Sequence, residues 1–413
     1  MDFTPTRERG QLRLSQFLPA AGRHYAENRN ADDGPDAIAL GGGRGNVSQL
    51  SPWLHAGLIG EAEVLQAVLG HHSPRAAEKF VAEVFWRVYF KGYLEQRPAV
   101  WADYCAGRDK ALAAMEGNSG LRTAYAQATE GRTGIEAFDV WSRELVETGY
   151  LHNHARMWFA SIWIFTLKLD WQLGADFFLR HLMDGDAASN TLSWRWVAGL
   201  HTKGKHYLAR ADNIARYTAG RPGGPLAAPG LAEDAAPLAE PHDHPRWLPD
   251  LPPPVTAADL AQPFALLLHD EAAHHAPLAL PAAPALVIGA SRAGARSPGA
   301  IGAPALHFTE GAMASGLAES AAAFGCPVVE WPAGAPLEPL LAQAGITRLA
   351  VPYLPAGWTR DALAPGLAPL AAQGRIVTLL GDLDRATWPH AKAGFFGVAK
   401  QIDALLGECG IAG

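Results

Sequence analysis

The chain has 413 residues, of which 49% are hydrophobic and 18% are charged. This composition can fill large buried cores, excludes a globally disordered protein and predicts two domains. Residues 1–221 hold 25 basic and 24 acidic residues, whereas the remainder holds 9 and 17, so charge alone indicates no nucleic-acid partner.

Cysteines and apolar runs exclude further classes of protein. Cys105, Cys326 and Cys409 are too few for a four-thiolate iron–sulfur cluster, and they suggest no disulfide framework. The longest apolar runs, such as 158–167, are too short to span a bilayer, and the N-terminus lacks the pattern of a signal peptide. We therefore expect a cytoplasmic protein with no membrane partner.

Helical periodicity dominates residues 1–221. Phe80, Val84 and Val88 recur at four-residue steps within 77–94. The segments 138–146, 155–169 and 176–183 show the same spacing, and no β-hairpin signal interrupts them. The sequence thus predicts an α-helical N-terminal domain over 1–221.

A change of composition separates this region from the C-terminal part. Residues 222–262 are rich in Pro, Ala and Gly, which predicts a linker. Short apolar runs then alternate with helix-like stretches at 316–324 and 337–344; the runs are 264–268, 285–288, 328–329, 349–351 and 376–380. This alternation predicts an α/β domain with a parallel sheet over 263–413.

Two local patterns carry no site. The glycine-rich run 41–45 lacks the Lys and Ser/Thr of a phosphate-binding loop, so it predicts a flexible insertion. His152 and His154 are two residues apart, which points them to different faces of a helix. We therefore expect no metal site.

Five ordered blocks of the N-terminal half carry chemistry: 47–52 (VSQLSP), 83–87 (EVFWR), 148–157 (TGYLHNHARM), 170–171 (DW) and 184–196 (DGDAASNTLSWRW). They resemble the motifs of the DNA photolyase and cryptochrome family, and the likeness covers residues 10–218. Co-occurrence of five blocks is far more specific than any single motif. The resemblance implies the family's FAD-binding helical fold for 1–221.

The same resemblance implies FAD as cofactor and assigns the residues that hold it. A flavin site needs donors for the pyrophosphate, and a paired cation and a polar group at the ring. The residues implied for the phosphates and the ribityl chain are Tyr25, Ser48, Leu50 and Ser51. Those implied for the ring are the ion pair Arg156–Asp184, Asp186 nearby, and Asn190 facing atom N5.

Further residues are implied for electron transfer and for the substrate. Trp194 and Trp171 match the first two members of an electron relay, and Trp101, Trp158 or a tyrosine remain open as its distal member. The positions that match a pocket for a pyrimidine dimer flipped out of DNA are Glu83, Trp86, Asn153, Met157 and Trp196. Arg87 and Arg210 are implied as contacts to DNA. Tyr150 departs from the family, which usually has tryptophan there.

The family's α/β antenna domain precedes its helical domain, whereas here almost nothing precedes the helical region. Residues 264–271 resemble the first strand of the antenna domain, and 384–396 resemble its last segment. We therefore expect a relocated antenna-like domain, which implies a second chromophore of unknown class. A generic α/β interaction domain is the alternative.

The resemblance implies an FAD-dependent photolyase-like flavoprotein, a lyase that repairs cyclobutane pyrimidine dimers in DNA by light-driven electron transfer. The alternative is a cryptochrome-like blue-light photoreceptor that signals through a protein partner without repair.

Overall fold

A computed structural model of the chain describes residues 2–35 and 44–411. Most of the flexible insertion predicted at 41–45 lies outside these described residues. Among the helices within them, none combines the length and the apolar character that a membrane span requires.

The N-terminal half is helical, as predicted. Twelve α-helices precede the first strand within the described residues: α1 (Arg7–Phe17), α2 (Arg23–Asn28), α3 (Ser51–His55), α4 (Glu61–Leu69), α5 (Pro74–Glu95), α6 (Ala99–Gly117), α7 (Ser119–Thr129), α8 (Glu136–Thr148), α9 (Asn153–Ser161), α10 (Trp171–His181), α11 (Ala187–Ala198) and α12 (Ala211–Tyr217). The helix expected over 155–169 is interrupted, because α9 ends at Ser161 and one π-helical turn, Ile162–Thr166, follows it. Such turns change which side chains share a face.

Local start signals fix the positions of α5 and α11. The Ser73 hydroxyl accepts a hydrogen bond from the backbone N–H of Ala76 at the start of α5. At the start of α11, the Asp186 carboxylate accepts from the backbone N–H of Ser189 at 2.6 Å. Each cap satisfies an N–H that has no partner within its helix.

The C-terminal half is built on a five-stranded parallel sheet of order β3-β2-β1-β4-β5. Its strands are β1 (Phe264–His269), β2 (Leu286–Ala290), β3 (Val328–Glu330), β4 (Arg348–Pro352) and β5 (Ile376–Leu379). Its helices are α13 (Ala303–Phe324), α14 (Glu338–Gln343), α15 (Trp358–Ala372), α16 (Asp382–Thr387), α17 (Phe396–Ala399) and α18 (Ile402–Glu408). The predicted fold class, a helical half followed by a parallel α/β half, is confirmed.

The two halves share a hydrophobic core. Leu266 of β1 packs into a core that also contains side chains of α1 to α5, whereas its neighbour Leu267 packs into a separate core on the other face of the sheet. Trp53 of α3 and Phe308 of α13 meet edge to face, with ring centroids 5.7 Å apart. The sheet thus buries one face against the helical half.

The chain between Tyr217 and Phe264 contains no α-helix or β-strand. It runs along the helical half, where the backbone N–H of Leu238 donates to the carbonyl of Ala198 at 2.9 Å. The boundaries 1–221, 222–262 and 263–413 stay a prediction, because a shared core does not divide the chain into separately packed bodies.

Candidate functional site

A cavity of about 450 Å³ lies within the helical half, between α2, the turn 47–51, α5, α9, α10 and α11. Its lining includes most of the site residues expected from the sequence: Tyr25, Ser48, Leu50, Ser51, Glu83, Trp86, Arg87, Asn153, Arg156, Met157, Asp184, Asn190, Trp194 and Trp196. Three other expected residues, Trp171, Asp186 and Arg210, are not part of this lining. One cavity thus gathers four of the five sequence blocks.

Arg13 of α1 fixes the backbone of the turn 47–51 by hydrogen bonds. Its guanidinium donates to the carbonyl of Ser48 at 2.8 Å and to the carbonyl of Val47 at 3.0 Å. Gln49 has a positive φ of 56°, a strained conformation for a residue other than glycine. The turn therefore presents Ser48 and Ser51 to the cavity from a fixed backbone. Sequence analysis missed Arg13, which lies 34 residues before the turn.

Arg156 and Asp184 form an ion pair in the wall of the cavity. Arg156 Nη2 donates to Asp184 Oδ2 at 3.0 Å, and Arg156 Nε donates to the carbonyl of Leu151 at 3.0 Å. Burial alone raises the pKa of Asp184, but the Arg156 charge, the polar Ser51 side chain and the hydrogen bond from Arg156 outweigh it, and the net shift lowers that pKa. The carboxylate is therefore ionised beside a fixed cation.

Asn190 and Trp194 complete this side of the cavity. The Asn190 amide nitrogen donates to the carbonyl of Ala175 at 2.8 Å, which fixes the side chain. Trp194 Nε1 and Asp184 Oδ1 are buried and have no hydrogen-bond partner within the described part of the chain. Buried polar atoms without partners cost about 1–3 kcal/mol each, so these atoms indicate a site built for a polar ligand.

The ring of Trp194 packs inside an aromatic cluster. Its centroid lies 5.1 Å from that of Phe178 and 6.2 Å from that of Trp163, which belongs to the π-helical turn. Trp171 contacts Tyr104 at 5.7 Å, and Tyr104 contacts Trp101 at 5.2 Å. The sequence did not point to Trp163, and it left a tyrosine open as the distal relay member without naming Tyr104. An electron relay from Trp194 to Trp171 stays a prediction.

The expected substrate residues lie in the same cavity. Glu83, Trp86, Asn153, Met157 and Trp196 all line it. Burial in the lining of the cavity raises the pKa of Glu83, and the charge of the nearby Arg29 offsets only part of that rise. The structure therefore favours a carboxyl group that keeps its proton more readily than a free glutamic acid does.

Trp86 also contacts the C-terminal half. Its ring stacks on that of Phe395, with centroids 4.0 Å apart and planes at 15°. Phe395 is itself buried. Sequence analysis missed this contact, because nothing in the local pattern links two residues so far apart along the chain.

The remaining expected residues make other contacts. Asp186 caps α11, and its second oxygen lies 3.3 Å from Arg87 Nη2. Arg87 Nε also pairs with Glu61 at 2.8 Å, so its guanidinium lies between two carboxylates. Arg210 is exposed and pairs with Asp212 at 2.8 Å.

Comparisons with known proteins agree with the geometry of the cavity. Residues 80–219 match the family model described as the FAD binding domain of DNA photolyase. The chain is 34% identical over 196 residues to a deoxyribodipyrimidine photo-lyase of Streptomyces griseus, covering 44% of this chain and 40% of that relative. It is 33% identical over 210 residues to the photo-lyase of the same name from Thermus thermophilus, covering 49% and 45%.

Two solved structures are also similar to part of the chain. One is a class III photolyase from Agrobacterium tumefaciens, at 29% identity and TM-score 0.41, covering 51% of this chain and 42% of that one. The other is a cryptochrome from Synechocystis, at 24% identity and TM-score 0.41, covering 51% and 43%. The chain thus matches less than half the length of these relatives. On the family model and the sequence relatives, residues 80–219 match the FAD binding domain of DNA photolyase, and the helical half of this chain is similar to photolyases.

Proposed function

We propose that this protein is an FAD-dependent, photolyase-like lyase that repairs cyclobutane pyrimidine dimers in DNA by light-driven electron transfer. The observation that carries the proposal is a single cavity with two kinds of wall. One wall holds the Arg156–Asp184 ion pair and Asn190, and the other holds Glu83 and Trp86. Cofactor and substrate groups can therefore meet within one cavity.

FAD fits the first wall. In this proposal Tyr25 and the turn residues Ser48, Leu50 and Ser51 hold its phosphates and ribityl chain, with Arg156 and Asn190 at its ring. The unpartnered Asp184 Oδ1 supplies an acceptor for a donor of the ring system. Bound and reduced, FAD would supply, after excitation by light, the electron that splits the cyclobutane ring, and it would take that electron back once the two pyrimidines have separated. Arg156 keeps a positive charge beside it, and Asp184 stabilises that charge.

The second wall fits a flipped pyrimidine pair. Trp86 and Trp196 offer aromatic faces for stacking, and the Asn153 amide offers both a donor and an acceptor to base edges. Because its pKa is raised, Glu83 can donate its proton in a hydrogen bond to a pyrimidine carbonyl. We assign these roles, with Met157 as an apolar contact, as part of the proposal.

Contacts to the DNA backbone belong to the same proposal. Arg210 is exposed on the helical half, and its ion pair with Asp212 is open to solvent, so a phosphate can replace that partner at little cost. Arg87 is held inside by Glu61 and Asp186, which favours an indirect role in orienting the wall. A cytoplasmic location is part of this proposal.

A second candidate function is a cryptochrome-like blue-light photoreceptor that signals through a protein partner. The stack of Phe395 on Trp86 favours it, since a side chain of the C-terminal half already occupies one face of a substrate-side tryptophan. In this second proposal, light changes the contact between the two halves, and this changes the surface to which the protein partner binds.

The two functions are separated by a repair assay with pre-reduced protein. Chemically reduced holoprotein is mixed with dimer-containing oligothymidine, illuminated without oxygen and followed by ultraviolet absorbance. Repair restores thymine absorbance with wild-type protein and with the control Glu78→Gln, whose carboxylate is exposed on the same helix, but not with Glu83→Ala. Absence of repair by flavin-loaded, reduced wild-type protein would rule out the lyase and leave the photoreceptor.

We also propose a second chromophore on the relocated α/β half. Ligands of open parallel sheets bind beyond the carboxyl ends of the strands where the strand order reverses, here between β1 and β4. Chromatography of the pigments released by denaturation tests this directly. Two species in equal amounts are expected, and flavin as the sole pigment in freshly isolated protein contradicts the idea.

A further inference from the structure

We propose that Asp103, His242 and His244 form a binding site for a divalent transition-metal ion, with zinc as the probe. One ligand atom from each of the three side chains lies within 4.8 Å of the other two. Asp103 belongs to α6, and the histidines belong to the irregular segment that runs along the helical half. The expectation of no metal site rested on the spacing of His152 and His154, and these three positions were not considered for it.

The contacts of the cluster bring the ligand atoms together beside a supporting carboxylate. Both histidine Nε2 atoms lie 2.7 Å from the same oxygen, Asp103 Oδ2. The other ring nitrogen of His244, Nδ1, lies 3.6 Å from Glu240 Oε2. With a metal ion at Nε2, the Nδ1–H of His244 faces Glu240.

This arrangement matches the way proteins support metal ligands. A metal-bound histidine usually donates its second nitrogen to a carboxylate, which fixes the ring. Glu240 holds that position for His244, and it is anchored by Arg195 Nη2 at 2.7 Å. Arg195 is buried in α11, so the supporting carboxylate is tied to the rigid part of the fold.

The ligand set selects the class of ion. Two imidazoles and one carboxylate suit zinc or ferrous iron and leave positions open for water. Ligand atoms around tetrahedral zinc lie about 3.3 Å apart, so the contacts of 2.7 Å must open slightly. His242 can move in this way because 58% of its side chain is exposed, whereas the His244 side chain is 7% exposed and anchors the site.

The bound ion would fasten the connecting segment to the helical half. It joins α6 directly to 240–244, and through Glu240 it reaches α11. Binding to the folded state alone adds to stability, so metal should protect this segment from local opening and from proteases.

The test uses the full, tag-free chain, stripped with a chelator and titrated with zinc against a chromophoric competitor. We expect one equivalent to bind. His242→Ala/His244→Ala should weaken binding by at least about 100-fold, and Glu240→Gln by about tenfold, which is typical of a lost supporting carboxylate. His71→Ala, an exposed histidine elsewhere, is the matched control and should bind like wild type. Zinc binding of equal strength in the double variant, or no saturable binding in wild type, overturns the site.

A second readout separates metal binding from misfolding. Zinc should slow proteolytic cleavage within 222–262 of the wild-type chain at least several-fold and leave cleavage of the double variant unchanged. Circular dichroism of the metal-free proteins should be identical, since both histidines lie in the irregular segment between α12 and β1. Protection of the double variant by zinc contradicts the proposal.

Discussion

Asp184 illustrates how one residue sets the charge of the cavity. Its pKa is lowered despite burial because Arg156 and Ser51 stabilise the carboxylate. A lowered pKa in the folded state means that this contribution to stability is present above the ordinary aspartate pKa, and is lost as pH falls through the lowered value. The ion pair should therefore persist in mildly acidic solution.

Replacing Asp184 with Asn tests the ion pair directly. The variant leaves the Arg156 charge without its partner, and lost hydrogen bonds to charged groups cost about 1.5–3 kcal/mol. We expect FAD to dissociate at least about tenfold more readily, measured by the fluorescence of released flavin. Asp212→Asn removes an exposed ion pair and is the control, which should hold FAD like wild type. Equal retention by both variants would argue against the assigned ring site.

The protonation of Glu83 should appear in the pH dependence of repair. Its raised pKa extends the protonated, donating form to higher pH than for a free glutamic acid, so activity should fall as pH rises through that pKa. The amide of Glu83→Gln donates a hydrogen bond at every pH. This variant should therefore lose the fall in repair activity at higher pH while retaining measurable repair. An unchanged pH profile in Glu83→Gln would mean that another group titrates.

Site residues named from contiguous sequence blocks mostly line one cavity, while their roles stay a prediction. Asn190 and Arg156 could be named because each matches a motif of the family that the blocks resemble. Phe395 and Arg13 could not, because their contacts with Trp86 and the turn depend on tertiary packing between distant segments. The ion-pair partners of Arg87 could not be predicted from the sequence either, since Glu61 and Asp186 come close to it only in the folded chain.

At the scale of elements, the close approach of α10 and α11 depends on Gly174. A Cβ at this position would lie 2.3 Å from Trp194 Cη2 and 2.9 Å from Trp163 Cε2. Both contacts are with rigid rings inside a packed core, which cannot yield as a flexible side chain can. The glycine thus lets the Trp194 ring lie against α10.

Gly174→Ala should therefore destabilise the fold and displace Trp194. Overpacking of a core costs about 1–3 kcal/mol, which denaturant unfolding measures, and flavin photoreduction should slow in the same variant. Gly117→Ala, at a helical glycine whose added Cβ meets nothing within 4 Å, is the control and should be neutral or slightly stabilising. Wild-type stability in Gly174→Ala would contradict the packing described above.

Elements were predicted from periodicity with uneven success. Strand β1 matches its predicted range to within one residue, since a buried apolar run between turn signals has few alternatives. Helix α13 begins at Ala303, well before the predicted 316–324, because its small residues give no hydrophobic periodicity. The π-helical turn after α9 has no sequence signal that we recognise.

At the scale of the molecule, the two halves are joined through a common core that sequence could not reveal. The alternation of strands and helices predicts a parallel sheet, but it does not say which face of that sheet lies against another domain. Trp53 against Phe308 is an example, since each residue reads as an ordinary core position. Unfolding of the whole chain should accordingly be coupled between the halves.

Buried histidines in both halves should make this stability depend on pH. Desolvation lowers the pKa of His152 to about 3, against a weaker opposing effect of Asp32, and it lowers the pKa of His269 to about 3. Because the unfolded chain binds protons below pH ~6.5 and the folded chain does not, stability should fall as pH drops from ~6.5 towards ~3. Each residue adds a slope of up to about 1.4 kcal/mol per pH unit.

The check is denaturant unfolding at several pH values. His152→Asn can still accept the hydrogen bond from the backbone N–H of His154 and should flatten the slope. His24→Asn, on the exposed surface of α2, is the control and should keep the wild-type profile. If stability falls equally steeply with pH in both variants, groups other than His152 cause the pH dependence.

The central claim is that Arg156, Asp184, Asn190 and Trp194 surround one flavin. Titration of FAD into flavin-free full-length protein, followed by flavin fluorescence and absorbance, tests it most directly. We predict saturation at one FAD per chain in wild type, with Arg156→Ala binding at least about tenfold more weakly. Failure of the folded wild-type chain to bind FAD, or binding that is indifferent to Arg156→Ala and Asp184→Asn, would contradict it.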